Sequence, residues 1–179
     1  MNDQALLDIA RRSIEHGLYY QQRWLPEIRE YPPAWHEQRA SFVTLKRLGD
    51  LRGCIGTTEA IDPLVVSVAR NAYSAAFNDP RFPALSVEEY DSIELSLSLL
   101  TPAEAVEFTC EAELLDRLVP GHDGLIIEHG NRRATFLPSV WESLSTPDEF
   151  LTALKHKAGL TVQQAPERAW RYSSETISE

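Results

Sequence analysis

Ile93-Glu94-Leu95-Ser96-Leu97-Ser98-Leu99 alternates apolar and polar residues without a break. A strand turns successive side chains to opposite faces, so Ile93, Leu95, Leu97 and Leu99 meet a core while Glu94, Ser96 and Ser98 meet water. A strand wet on one side belongs to an antiparallel sheet with one covered face. Upstream, Ser41-Phe42-Val43-Thr44-Leu45 is rich in β-formers. A turn falls near Gly49-Asp50, and Leu51 to Thr57 reads as the returning strand of a hairpin. Asp62-Pro63 then marks a helix start, with the aspartate as capping side chain and the proline in the first turn. Leu64, Val65, Val68, Ala72, Ala75 and Ala76 give that helix its apolar face, and Asn78-Asp79-Pro80 stops it. Ser86 with Glu89 predicts a short capped helix before the alternating strand. The expected class is α+β, a mostly antiparallel sheet with flanking helices.

Working outward, Leu6, Ala10 and Ile14 recur at helical spacing, and Gly17 is placed to end that helix. Tyr19 to Trp35 reads as an irregular segment that packs its aromatics, broken by Pro26, Pro32 and Pro33. The second half repeats the order of the first. After a helix around Glu111 to Leu118, Gly124-Leu125-Ile126-Ile127 and Arg133 to Leu137 flank a turn at His129-Gly130-Asn131. Thr146-Pro147-Asp148-Glu149 is a capping box that opens a helix, and Gly159 closes it. Trp170 and Tyr172 form a last strand before a polar tail. Hairpin, helix and strand thus occur twice, through internal duplication or through reuse of a common unit.

The 179 residues suit one domain, or a main domain with a small lobe, and 43% hydrophobic with 25% charged residues is an ordinary globular composition. The net charge of -10 disfavours nucleic acid and anionic membranes as partners. No apolar run approaches the roughly 20 residues of a membrane span. The start, Met1-Asn2-Asp3-Gln4, lacks the basic region of a secretory signal. Cys54 and Cys110 read as free thiols rather than a disulfide framework. A cytoplasmic protein is expected.

The candidate site is Leu51-Arg52-Gly53-Cys54-Ile55-Gly56. Residues two apart on a strand share a face, so Arg52 is expected beside Cys54, where a guanidinium favours the nucleophilic thiolate. Gly53 and Gly56 remove side chains around the thiol and let a ligand or a backbone approach. The alternative is a buried, inert cysteine. Asn78, Asp79 and Arg81 form a polar cluster with two readings. It is a helix stop with a paired arginine, or it lines a pocket with Cys54 in which Arg81 binds an anionic group. Arg132-Arg133 reads as a solvated turn. The histidines and cysteines show no zinc-ligand spacing, and no phosphate loop, nucleotide fingerprint or Gly-x-Ser-x-Gly elbow occurs, so no metal or cofactor is identifiable.

The hexapeptide Leu51–Gly56 is identical to the signature of the AMMECR-domain family. Similarity continues through Ala75-Ala76-Phe77-Asn78-Asp79-Pro80-Arg81-Phe82-Pro83, Leu99-Leu100-Thr101-Pro102, Asp123-Gly124-Leu125-Ile126, Phe136-Leu137-Pro138 and Lys157-Ala158-Gly159-Leu160. The resemblance runs from about Ser41 to Trp170 and is looser before it. It implies a single α+β domain over the whole chain, with a larger and a smaller lobe, and the hexapeptide as active or binding site. It also implies work beside a Memo-type protein and a radical S-adenosylmethionine protein, the AmmeMemoRadiSam system. One departure is that many members carry histidine directly before the Gly-Leu step. Here Asp123 stands there and His122 lies one earlier, so a general-base role is not carried over. Two functional readings follow. In one, an enzyme component uses Cys54 as nucleophile or thiol donor, with Arg52 as activator and anion clamp. In the other, a small-molecule-binding or adaptor protein uses the same segment as a surface, with Cys54 as packing. Nucleic-acid binding is a weaker third.

Overall fold

The structure is a computed structural model and describes residues 3–179. It divides into two units, one formed by residues up to Leu100 together with Glu175–Glu179, the other by Thr101–Ser174. The first unit contains α1 (Asp3–Tyr20), β1 (Ser41–Arg47), β2 (Asp50–Gly56), α2 (Leu64–Phe77), α3 (Val87–Tyr90) and β3 (Ile93–Leu100), joined by the C-terminal strand β8 (Ser174–Ser178). Its sheet has the order β2-β1-β3-β8, and β1 runs antiparallel to both β2 and β3. Val43, Leu45, Leu95, Leu97 and Leu99 point from one face into a core shared with Leu6, Ala10 and Ile14 of α1 and Val65, Val68 and Ala72 of α2. The alternation that defines the Ile93–Leu99 segment is therefore also what seats both helices on one side of the sheet.

Three local expectations are corrected. Helix α1 runs through Gly17 to Tyr20, and Gln21, at φ 54°, is the first left-handed residue beyond it. A Cβ at Gly17 would lie 2.3 Å from the Phe77 ring, so this glycine lets α1 pack closely on α2 rather than ending the helix. Asp62 does not cap α2. Pro63 is the N-cap, and the Asp62 carboxylate instead pairs with Arg70 at 2.6 Å. The polar tail is a strand: Ile177 enters the core, and Glu179 accepts from Arg11 at 2.6 Å and from the Leu95 N–H at 3.0 Å. Main-chain pairing at a sheet edge needs little apolar patterning, which is why the tail carried no strand signal.

The second unit contains β4 (Glu104–Ala105), α4 (Glu111–Asp116), β5 (Gly124–His129), β6 (Arg132–Phe136), α5 (Pro147–Lys157) and β7 (Arg168–Tyr172). Phe150 of α5 anchors its core, stacked on Trp141 at 3.9 Å and edge-on to Phe136 at 5.4 Å. The Thr146–Glu149 capping box forms, and Gly159 takes φ 74° just past the helix. The strand order β4-β7-β5-β6, read from the other edge, matches that of the first unit. In both, the second hairpin strand lies outermost, the first lies inside it, the strand after the helix comes next, and a short strand closes the edge. The repeated hairpin, helix and strand is thus a shared topology, with the edge strand supplied from opposite ends of the chain segment. Among the described residues no helix is long and apolar enough to cross a membrane.

Candidate functional site

Strand β2 lies at an edge of its sheet, so one row of its main-chain groups lacks a neighbouring strand. The Asn78–Phe82 segment, which follows α2, takes that place. The Cys54 N–H donates to Asp79 Oδ2 at 2.9 Å, and Arg81 Nη2 donates to the Cys54 carbonyl at 3.1 Å. Asp79 and Arg81 are themselves joined by bonds of 2.9 and 2.7 Å from Nε and Nη2 to the two carboxylate oxygens. One ion pair therefore satisfies both outward main-chain groups of Cys54. Hydrogen bonds from Arg81 hold the buried Asp79 carboxyl well below the usual carboxylate range, against the opposing effect of burial. Arg81 is raised in turn, chiefly by Asp79 and to a smaller degree by Cys54. Asn78 caps α2 through its N–H on the Ser74 carbonyl and borders a groove beside Phe77 and Leu85, apart from this clamp.

Arg52 does not serve the thiol. Leu45 pairs with Gly53 and Lys46 with Leu51, which leaves Arg52 as the extra residue of a β-bulge. The expected sharing of a face by Arg52 and Cys54 assumed unbroken alternation, and the bulge interrupts it. The Arg52 side chain, 8% exposed as a residue, makes a two-pronged pair with Glu89 at 2.9 Å for each bond and donates to the Pro83 carbonyl at 3.0 Å. Glu89 also accepts from the Ser86 N–H in the capping box of α3. Hydrogen bonds from Arg52 bring its carboxyl down to about 2, burial opposing. Arg52 thus pins the Pro83–Tyr90 segment to the sheet, and the reading of it as activator and anion clamp is corrected.

The glycines are occupied as well. A Cβ at Gly53 would lie 2.2 Å from the Ala75 carbonyl oxygen of α2, and one at Gly56 would lie 2.3 Å from the Phe42 ring. Of the ligand or backbone that the glycines were expected to admit, Gly53 meets a backbone, and Gly56 meets an aromatic ring. Gly53 lets the end of α2 settle on the strand, and Gly56 receives Phe42.

Cys54 pairs with Thr44, which pairs on its other side with Ser96, so the three lie in a row across the sheet. This row belongs to the face opposite Val43, Leu45, Leu95 and the helices. Thr44 Oγ1 donates to Cys54 Sγ at 3.3 Å. Thr44 escaped the sequence reading because only the strand register reveals it as the sulfur's neighbour. Cys110 is exposed, at the N-cap of α4. Among the described residues no group of three His, Cys, Asp or Glu side chains is arranged to hold a metal ion.

Comparison with known proteins places this geometry. The AMMECR1 family model matches residues 7–177, nearly the whole chain. The chain belongs to the AMMECR1 family. A protein of Methanothermobacter thermautotrophicus is 40% identical over 161 residues, covering 87% of this chain and 81% of that one. A protein of Methanocaldococcus jannaschii is 43% identical over 140 residues, covering 74% and 68%. The crystal structure of an uncharacterised protein from Pyrococcus horikoshii superposes with a TM-score of 0.89 at 34% identity, over 98% of this chain and 90% of that one. In this AMMECR1 chain the signature hexapeptide is mainly a fastening. Arg52, Gly53 and Gly56 lock β2 to its surroundings, and the Cys54 thiol meets the Thr44 hydroxyl.

Proposed function

We propose that this AMMECR1 chain is a cytoplasmic enzyme component whose reacting group is the Cys54 thiol, working beside a Memo-type and a radical S-adenosylmethionine protein. The partners rest on the resemblance of the signature segments. The observation that carries the chemistry is the Thr44 hydroxyl on Sγ, with the Arg81 guanidinium on the carbonyl of the same residue. The hydroxyl donor sits on the reacting atom itself, and the thiolate is the nucleophilic form. Arg81, paired with Asp79, is placed on the residue where Arg52 was expected. Its side chain is 53% exposed, so it also offers a charge-assisted contact to an anionic group of a substrate.

A second reading has its own observation. Since Arg52, Gly53, Gly56 and Asp79 all serve to fix an edge strand, the segment also suits a rigid surface that docks a partner, with Cys54 inert. Alkylation of the folded chain, read peptide by peptide by mass spectrometry, separates the two. The thiol reading expects Cys54 to label faster than Cys110 near neutral pH despite its lesser exposure. Thr44→Val or Arg81→Gln should slow that labelling roughly 3–10-fold. If Cys110 reacts while Cys54 stays unmodified, or neither substitution changes the rate, the docking reading takes its place.

A further inference from the structure

The second unit holds a cleft of about 370 Å³ whose lining includes Thr101, Glu104, His122, Asp123, Arg171 and Ser173. None of these belongs to the Cys54 site. In its lining, His122 Nδ1 lies 3.0 Å from Asp123 Oδ1. The two side chains differ sharply in setting: His122 is 67% exposed and Asp123 only 6%. Asp123 is held through its side chain and its main chain. Its Oδ2 accepts the Val119 N–H at 2.9 Å, and the carbonyl of the same residue accepts the Trp141 indole N–H at 2.7 Å. Gly124, next in sequence, sits under the Tyr172 ring, where a Cβ would come within 2.5 Å. The strand start that carries the pair therefore cannot shift freely against the cleft wall.

A neutral imidazole has one N–H and one lone pair. With Nδ1–H donating to Asp123, the lone pair is on Nε2, the nitrogen turned away from the carboxylate. The Asp123 carboxylate at Nδ1 thus fixes Nε2 as the hydrogen-bond acceptor of the ring. The phenol of Tyr172, also on the wall, is engaged elsewhere: its hydroxyl is bound to Thr135 and to the Phe136 carbonyl.

The local charge limits the ligand. Arg171 faces Glu104 at 3.8 Å, so these two offset each other, and Asp123 leaves a net negative charge. A free anion is disfavoured, whereas a molecule without net charge that brings an O–H or N–H is not. We propose that this cleft is a second small-molecule site, in which His122 Nε2 accepts a hydrogen bond from an O–H or N–H of a bound, net-neutral polar molecule and Asp123 is the positioning residue.

Two measurements on the full chain test this independently of Cys54. Long-range proton–nitrogen correlation spectra of histidine-labelled protein, taken where the imidazoles are neutral, should show His122 as the Nδ1–H form. Free histidine favours the other tautomer, so a merely exposed side chain would not give this result. In a strain lacking the gene, His122→Gln should melt like the wild type yet fail to restore the metabolite profile. An Nε2–H tautomer at His122, or full restoration by His122→Gln, overturns the proposal whatever Cys54 variants do.

Discussion

Gly53→Ala should lower the unfolding free energy by about 2–4 kcal/mol, the upper range of overpacking, although it adds a single methyl group. The added Cβ would stand 2.2 Å from the main-chain oxygen of Ala75, and a backbone atom cannot rotate aside as a side chain can. Relief requires β2 or the end of α2 to move, and β2 is held by its pairing with β1 while Ala72 and Ala75 tie α2 into the core. Gly121→Ala provides the contrast. Gly121 sits at φ 79° with nothing within 4 Å of an added Cβ, so only the left-handed backbone penalty of about 1–2 kcal/mol applies. Urea unfolding of the two variants should rank Gly53→Ala well below Gly121→Ala. Equal or reversed stabilities would mean that α2 does not press on β2.

Asp79→Ala should cost a similar amount, about 2–4 kcal/mol. It leaves the Cys54 N–H unpaired and removes the carboxylate that anchors Arg81. The loss should fall short of the roughly 3–5 kcal/mol for a fully buried pair, because water can reach the half-exposed arginine. The same carboxylates give the fold an acid limit. Asp79 and Glu89 both titrate below their ordinary values in the folded chain, the latter at about 2 rather than 4.5. Below about 4.5 the unfolded chain binds more protons than the folded one, so their stabilisation is full above that pH and drains away as pH falls toward 2. Between those limits Asp79→Ala should lose less stability than the wild type does. A parallel pH dependence in the two proteins would place the acid-sensitive group elsewhere.

How far the sequence reaches depends on the range of the interaction. Ile93–Leu99 declares its strand and its buried face through alternation alone, and Thr146–Glu149 declares a helix start through four adjacent residues. Both are local, and both hold. Gly17 and Asp62 mislead because a glycine and an aspartate near a helix end have uses besides capping. What decides each use is a distant partner, Phe77 or Arg70. The site repeats the lesson at longer range. The segment Leu51–Gly56 is conspicuous as sequence, but its division of labour depends on partners such as Glu89, Ala75, Phe42 and Asp79. A one-residue bulge was enough to separate Arg52 from the role its spacing suggested. Thr44 is invisible until β1 and β2 are placed in register.

On the proposed reading the function of this chain rests on the sulfur of Cys54, with the rest of the signature as its mount. The most direct measurement compares metabolite profiles of a strain lacking the gene after return of the wild type, Cys54→Ser or Cys110→Ser. Serine keeps the size of the side chain and can still meet the Thr44 hydroxyl, so the mount is preserved while the thiol is lost. Cys54→Ser is expected to leave the deletion profile unchanged although the protein accumulates and melts normally, whereas Cys110→Ser restores the wild-type profile. Full restoration by Cys54→Ser would contradict it.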